Sequence, residues 1–340
     1  MSDRISDIGE FGIIGRINDL LKKEGFLSER VTLGIGDDTA SFLPRPGFEL
    51  LVTCDTLVEG RHYLPESISF FDLGRRAMVQ NISDIGAMGG RPLYALISLG
   101  LKPEIGVRDI EEMYRGFLRE LNSLEAAIIG GNLTRTANGL FIDITLIGEV
   151  EQGMAVHRSG AKPGDCILVS GFPGQSAAGL HLLLQGQNNP RILSHPLVRR
   201  YNTPSHRALL GRAIGQSGLA TAMIDISDGF LGDLGHICTE SRVGAELFKQ
   251  KLPLSRDLLR AAAELHRDPY DLFFGASDDY ELIITCQPQN ASLLQAVSKE
   301  HCPDPLREVG RINDLPGGIT LQSDTDGDRP LVSSGWDHFR

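Results

Sequence analysis

An apolar run that ends on glycines or an acid and is followed by a helical stretch recurs along this chain. Residues 31–38, 49–55, 126–132 and 222–229 all carry such a run, and a helical stretch follows directly after 49–55 and 222–229. Strands that alternate with helices restrict the chain to an α/β class, of the α+β type. The ends of such strands are where sites form. Here they carry Asp38, Asp55, Asn132, Asp225 and Asp228.

A further acid comes from a helix end. Leu73, Ala77, Ile82, Ile85 and Met88 keep a roughly helical apolar spacing, with Asp72 as the expected N-cap. Gly89-Gly90 and then Pro92 stop the helix. Asp84 therefore falls in its last turns, where the macrodipole disfavours negative charge by a few tenths of a kcal/mol. A carboxylate in so poor a place is either solvated or has a partner that wants it there, such as a metal.

Elsewhere, residues 13–23 read as an amphipathic helix. Residues 107–124 read as a helix with Asp109 as cap and Ile110, Met113, Phe117, Leu121 and Leu124 as its buried stripe. Residues 140–150 alternate like a half-buried strand. A boundary near 151–153 splits the chain into 1–152 and 153–340. Beyond it the elements restart, with strands at 165–170 and 222–229, helices at 175–184, 205–217 (Ser205 as cap) and 255–267, and a loop over 186–204.

At 340 residues, 41% hydrophobic and 23% charged, the chain has enough apolar mass for two globular domains without disulfides. Its five cysteines include no C-x-x-C pair, which is reduced, cytoplasmic usage. The acidic first ten residues suggest no signal peptide. No apolar run approaches the ~18 residues of a membrane span, so no membrane partner is expected. A net charge of −11 without basic blocks argues against nucleic acid.

Several carboxylates brought together could not stay ionised unaided, since two ~5 Å apart repel by roughly 3 kcal/mol at an effective dielectric near 20. Hard divalent cations would answer that, and Mg²⁺ favours carboxylate and phosphate oxygen. Few histidines lie near these acids in sequence, which argues against zinc. Magnesium with phosphate suggests ATP chemistry, yet the P-loop, protein-kinase, G-x-S-x-G and H-E-x-x-H signatures are absent. Gly171-Phe-Pro-Gly174 offers a weak phosphate cradle at a helix start.

The motifs, taken together, resemble one family. They are Gly9-Glu-Phe-Gly12, Gly34-Ile-Gly-Asp-Asp38, Asp55-Thr-Leu-Val-Glu-Gly-Arg-His62, Asn81-Ile-Ser-Asp-Ile-Gly-Ala-Met-Gly89, Ile129-Gly-Gly131, Arg158-Ser-Gly-Ala-Lys-Pro-Gly-Asp165, Ser176-Ala-Ala-Gly-Leu180, Ile224-Asp-Ile-Ser-Asp-Gly229, Asp279-Tyr-Glu-Leu282 and Gly335-Trp-Asp-His-Phe339. In order and over nearly the whole chain, they are similar to those of the thiamine-monophosphate kinases. The resemblance implies the two-domain fold of aminoimidazole ribonucleotide synthetase, with N-terminal sheets pairing into a barrel across a homodimer. The N-terminal half would bind ATP and magnesium and dimerise. The resemblance also implies ATP-dependent phosphorylation of thiamine monophosphate to thiamine diphosphate, with several Mg²⁺ and ATP as co-substrate. It assigns Asp38, Thr53, Cys54, Asp55, Asp84, Asn132, Asp225 and Asp228 to or beside the metals. Tyr114, Gly131, Asn132, Arg158 and Ser227 fall to ATP, and His62, Asp278 and Trp336 to the thiamine phosphate. It names no general base, because the acceptor is an already anionic phosphate oxygen.

The chain departs from the family pattern at a few points. Asn132 stands where Asp is usual, Cys54 where Thr is, and Gln175 where Asp is. Ala276-Ser277-Asp278 stands where Gly-Gly-Glu is usual. Two alternatives stay open beside a working kinase: an enzyme of the same superfamily with another acceptor, and a paralogue that binds nucleotide or thiamine phosphates without turnover.

Overall fold

The alternation of side chains along strands decides what this chain can bury. The computed structural model describes residues 4–186, 189–304, 306–332 and 335–336. The chain divides into one unit of Met1–Ile85 with Arg91–Gly153 and a second of Gly86–Gly90 with Met154–Arg340.

The first unit holds α1 (Ile5–Glu24), β1 (Val31–Leu33), β2 (Ser41–Phe42), β3 (Phe48–Val58), α2 (Phe70–Ala87), β4 (Arg91–Leu101), α3 (Val107–Leu121), β5 (Ala127–Arg135) and β6 (Phe141–Glu151). Its four-stranded sheet runs β3-β6-β4-β5, with only the β4–β5 pair parallel. One face carries Thr53, Asp55 and Leu57 in register with Leu146, Ile144 and Ile142, and these with Ala95, Ile97 and Leu99. The apolar members of that set are at most 3% exposed. The other face carries Leu50, Val52, Cys54, Thr56 and Val58 on β3, all exposed. The sheet does not close within the chain: β3 and β5 are its edges.

Helix ends differ from expectation in detail. Ser69 rather than Asp72 caps α2: its hydroxyl accepts the Asp72 N–H at 3.1 Å, and Asp72 returns the contact from the third helical position. Asp109 likewise sits at the third position of α3 and accepts the N–H of the true cap, Gly106, at 3.2 Å. The predicted stripe of α3 is buried throughout. Gly89 ends the α2 segment as read, in the left-handed conformation (φ 74°) with its N–H on the Gly86 carbonyl at 2.9 Å.

The second unit holds β7 (Cys166–Val169), α4 (Gln175–Gln185), α5 (Pro190–Leu193), α6 (Pro196–Asn202), α7 (Ala208–Ser217), β8 (Ala220–Asp225), α8 (Phe230–Ser241), β9 (Gly244–Phe248), α9 (Arg256–Glu264), α10 (Pro269–Phe274), β10 (Leu282–Cys286), α11 (Ala291–His301), β11 (Arg307–Asn313), β12 (Ile319–Gln322) and β13 (Arg329–Leu331). Its seven strands run β13-β12-β9-β11-β7-β10-β8, and only β12–β9 is parallel. Alternate residues feed two cores. Ile167, Val169, Ala222, Ile224 and Ile283 join one; Cys166, Leu168, Met223, Leu282 and Ile284 join the other. Both faces are therefore covered, which is why these strands read as unbroken apolar runs.

The expected loop over 186–204 contains α5 and α6, each begun by a proline at its first position. α7 starts at Ala208 with no side-chain cap, so Ser205 lies outside it. All five cysteines are free thiols, and Cys54 alone is exposed. Among the described residues no helix is long and apolar enough to cross a membrane.

Candidate active site

In the first unit the pairing of strands extends β3 and β5 past their apolar stretches. Asp55 and Asn132 therefore lie within strands, not at strand ends. Thr53 and Asp84 come together: the Thr53 hydroxyl donates to the Asp84 carboxylate, tying β3 to the last turns of α2. Asp55, two residues on, points to the same face and is half-buried.

Cys54 and Asn132 point the other way. Thr56, Asp143, Ser98 and Asn132 form one row across the sheet. On that face the Cys54 thiol lies 3.6 and 3.7 Å from the Asp143 carboxylate oxygens and accepts from the Thr145 hydroxyl at 3.5 Å. Thr56 also donates to Asp143. The sheet thus groups Asp84, Thr53 and Asp55 on one face, and Cys54, Asn132 and Asp143 on the other. Asp38 is exposed and bonds through its N–H to the Asp37 carboxylate at 2.8 Å. His62 accepts the Val58 N–H on Nδ1 at 2.9 Å. Tyr114 is buried edge-on against Phe117, and burial pushes its phenol up. Gly131 is next in line to Asn132, level with Ile97.

In the second unit Asp225 ends β8, and Ser227, Asp228 and Gly229 make the turn into α8. Gly229 has φ 117°, and a Cβ there would lie 2.3 Å from the Gly275 carbonyl oxygen, so only glycine fits. The N–H groups of Ser227, Asp228 and Gly229 all donate to Asp233 Oδ2 at 3.1–3.2 Å. Burial, and after it the nearby Asp228 charge, push the Asp233 carboxyl up to about 7. Trp336 is 46% exposed and donates its backbone N–H to the Asp228 carbonyl at 3.0 Å. The remainder of its motif, residues 337–339, lies outside the described residues. Arg158 is exposed, and its carbonyl accepts the Ser241 hydroxyl at 3.4 Å.

Asp278 accepts the Ser176 hydroxyl at the start of α4. The adjoining Asp279 fills that helix start: it accepts the N–H of Gly174 at 2.6 Å and of Ser176 at 2.9 Å. The N–H groups of Gly174 and Ser176 at that helix start are therefore taken by a carboxylate, which removes them as donors for the weak phosphate cradle expected at 171–174. Asp279 is buried, which pushes its carboxyl up to about 6 against those hydrogen bonds.

Sequence reading missed several groups. Asp143 was visible as a polar position in the alternation of β6. His236 breaks the expectation that histidine stays clear of the acids, because one of its nitrogens lies within 4.8 Å of ligand atoms of Asp228 and Asp233. The signal was the Asp233-x-x-His236 spacing on one helix face. The buried Glu281, held by Arg200 and Arg207 at 2.5 Å each and by Ser170, lies in the Asp279-Tyr-Glu-Leu282 motif, but nothing local marks it as the centre of a buried ion-pair cluster.

Comparison with known proteins places this arrangement among relatives. Residues 36–150 match the N-terminal domain of the AIR synthase related proteins, and residues 162–321 match their C-terminal domain. The thiamine-monophosphate kinase of Haemophilus influenzae is 34% identical over 98% of each chain. The crystal structure of the thiamine-monophosphate kinase from Stenotrophomonas maltophilia superposes with a TM-score of 0.81 at 33% identity, covering 96% of this chain and 98% of that one. AaThiL complexed with AMPPCP and TMP superposes with a TM-score of 0.74 at 32% identity over the full length of both chains.

Proposed function

The chain belongs to the thiamine-monophosphate kinase family, and from that membership we infer that it transfers the γ-phosphoryl group of ATP to thiamine monophosphate, giving thiamine diphosphate and ADP. The observation that carries the reading is full-length similarity to a chain complexed with both AMPPCP and TMP. Transfer is direct and in-line. The acceptor oxygen is anionic at pH 7, so the residues need only align two phosphates and offset their charge.

Oxygen donors suit magnesium, and the half-buried Asp55 with the Thr53–Asp84 pair supplies them on one face of β3. The family resemblance assigns Asp38, Cys54, Asn132, Asp225 and Asp228 to or beside the metals as well, with the Cys54 and Asn132 side chains on the other face of the sheet. Magnesium, when bound, neutralises phosphate charge. Gly131, Asn132, Arg158 and Ser227 meet the nucleotide, with Tyr114 in the packed core of the N-terminal unit. His62, Asp278 and Trp336 receive the thiamine phosphate, Trp336 through an aromatic face of the kind that stacks on a cationic thiazolium. The domain assignment at 1–152 and 153–340 follows the same reading.

A cytoplasmic homodimer is part of the proposal. Leu50, Val52 and Val58 are 45%, 66% and 40% exposed along the edge strand β3. An apolar edge of this kind calls for a partner, and N-terminal sheets pairing into a barrel with a second copy would cover it.

Asn132 offers a carbonyl oxygen without charge. Restoring the charge with Asn132→Asp is worth about 1 kcal/mol at an exposed site ~4 Å from a cation, a roughly fivefold effect. The magnesium concentration for half-maximal activity is expected to fall by that factor; an unchanged magnesium curve places residue 132 away from any metal. The function itself is tested by product formation from ATP, Mg²⁺ and thiamine monophosphate.

A further inference from the structure

Among the described residues, Glu125, Arg242, His266 and Tyr280 have positive φ without being glycine. The first three lie just past helical segments, where a left-handed residue is an ordinary way to stop a helix. Tyr280, at φ 52°, lies just before β10 and ends no helix. For a bulky aromatic residue this conformation is costly and persists only where the surroundings hold it. Tyr280 is buried, and it donates its N–H to the Ile226 carbonyl at 2.8 Å. Ile226 in turn donates its N–H to the Glu281 carbonyl at 2.7 Å. Ile226 is fully buried and stands between Asp225 and Ser227. On the other side of Tyr280, Asp278 accepts the Ser176 hydroxyl and Asp279 fills the start of α4. The left-handed turn thus lets residue 278 meet α4 while residue 281 already bonds to the turn after β8.

We propose that Tyr280 is a positioning residue, whose left-handed backbone fixes Asp278, assigned to the thiamine phosphate, relative to Ser227, assigned to the nucleotide. The inference rests on the kinase reading of those two residues and gives Tyr280 a role through them. Truncating the ring removes the packing that holds the strained turn. With alanine the left-handed conformation still carries the cost of a Cβ; with glycine it does not. A binding-competent conformation that is only partly populated weakens apparent affinity by that fraction.

Thiamine monophosphate, and separately AMPPCP with Mg²⁺, are titrated calorimetrically into the full-length wild type, Tyr280→Ala and Tyr280→Gly, well below their melting temperatures. Both variants lose the same ring and should melt below the wild type. Tyr280→Ala should bind both ligands about fivefold or more weakly than Tyr280→Gly, the factor set by a Cβ in the left-handed region. A merely structural Tyr280 would lower both melting temperatures and leave the two variants with equal affinities. Equal affinities, or a difference for one ligand only, overturn the proposal. Hydrogen exchange in the wild type needs no variant to fold: either ligand alone should slow exchange of the Tyr280 and Ile226 amides, and slowing by only one ligand or by neither overturns it as well. A folded wild type that binds neither ligand overturns the kinase reading and this inference with it. A wild type that binds both, with variants that agree, overturns the inference alone.

Discussion

Glu281→Gln is expected to destabilise the protein by about 3–5 kcal/mol, the cost of breaking a buried ion pair from one side. Glu281 is fully buried. Its carboxylate takes Arg207 Nε at 2.7 Å, Arg207 Nη2 and Arg200 Nη2 at 2.5 Å each, and the Ser170 hydroxyl at 2.5 Å. Glutamine has the same length but loses the charge and one acceptor oxygen, leaving two guanidinium groups to face each other in the interior. For a unit of this size the loss corresponds to roughly 10 °C in melting temperature. The pH dependence has a definite sign. Burial alone would raise the Glu281 pKa, but Arg207 and Arg200 hold it below its usual 4.5. A depressed carboxylate contributes stability that is present above pH 4.5 and lost as pH falls through the folded value. Wild type should lose this increment on acidification below pH 4.5, whereas Glu281→Gln has none to lose. Melting curves across that range check both statements, and equal stability at neutral pH contradicts the first.

Asp84→Asn should do the opposite: keep the fold and remove the activity. The carboxylate sits in the last turns of α2, where a negative charge is mildly unfavourable. Its contact with the Thr53 hydroxyl needs only an acceptor, which the amide oxygen still provides. The apo protein should therefore match the wild type within about 0.5 kcal/mol, as substitutions that create no cavity or buried charge commonly do. If Asp84 offsets phosphate charge through a metal, turnover falls on the order of 10²–10³-fold, the usual cost of one electrostatic contact in a transition state. Unfolding of the apo variant would make Asp84 a structural residue. Full activity would remove it from the site.

The strands of the second unit were legible because both faces of its sheet are buried, so β7, β8 and β10 appear as continuous apolar runs. α3 was legible because five apolar positions fall on one stripe. Asp84 could be singled out because its helix position and its charge disagree. What stayed hidden depends on pairing over long distances. Asp55 and Asn132 read as strand ends, since nothing local shows that β6 and β4 carry the ladders beyond the apolar residues. The opposite facing of Cys54 and Asp55 follows from a period of two, but it matters only once the sheet has a covered and an open face. Asp279 closes the start of α4 from 105 residues away, which no reading of residues 171–176 could foresee. α5 and α6, at four and seven residues, are too short to display a helical period.

The central claim is transfer of a phosphoryl group to thiamine monophosphate. Purified, folded protein is given [γ-³²P]ATP, Mg²⁺ and thiamine monophosphate, and labelled products are separated. Label should appear in thiamine diphosphate in an amount equal to the ADP formed. ADP without labelled thiamine diphosphate, or no turnover across a range of Mg²⁺ concentrations, would contradict it.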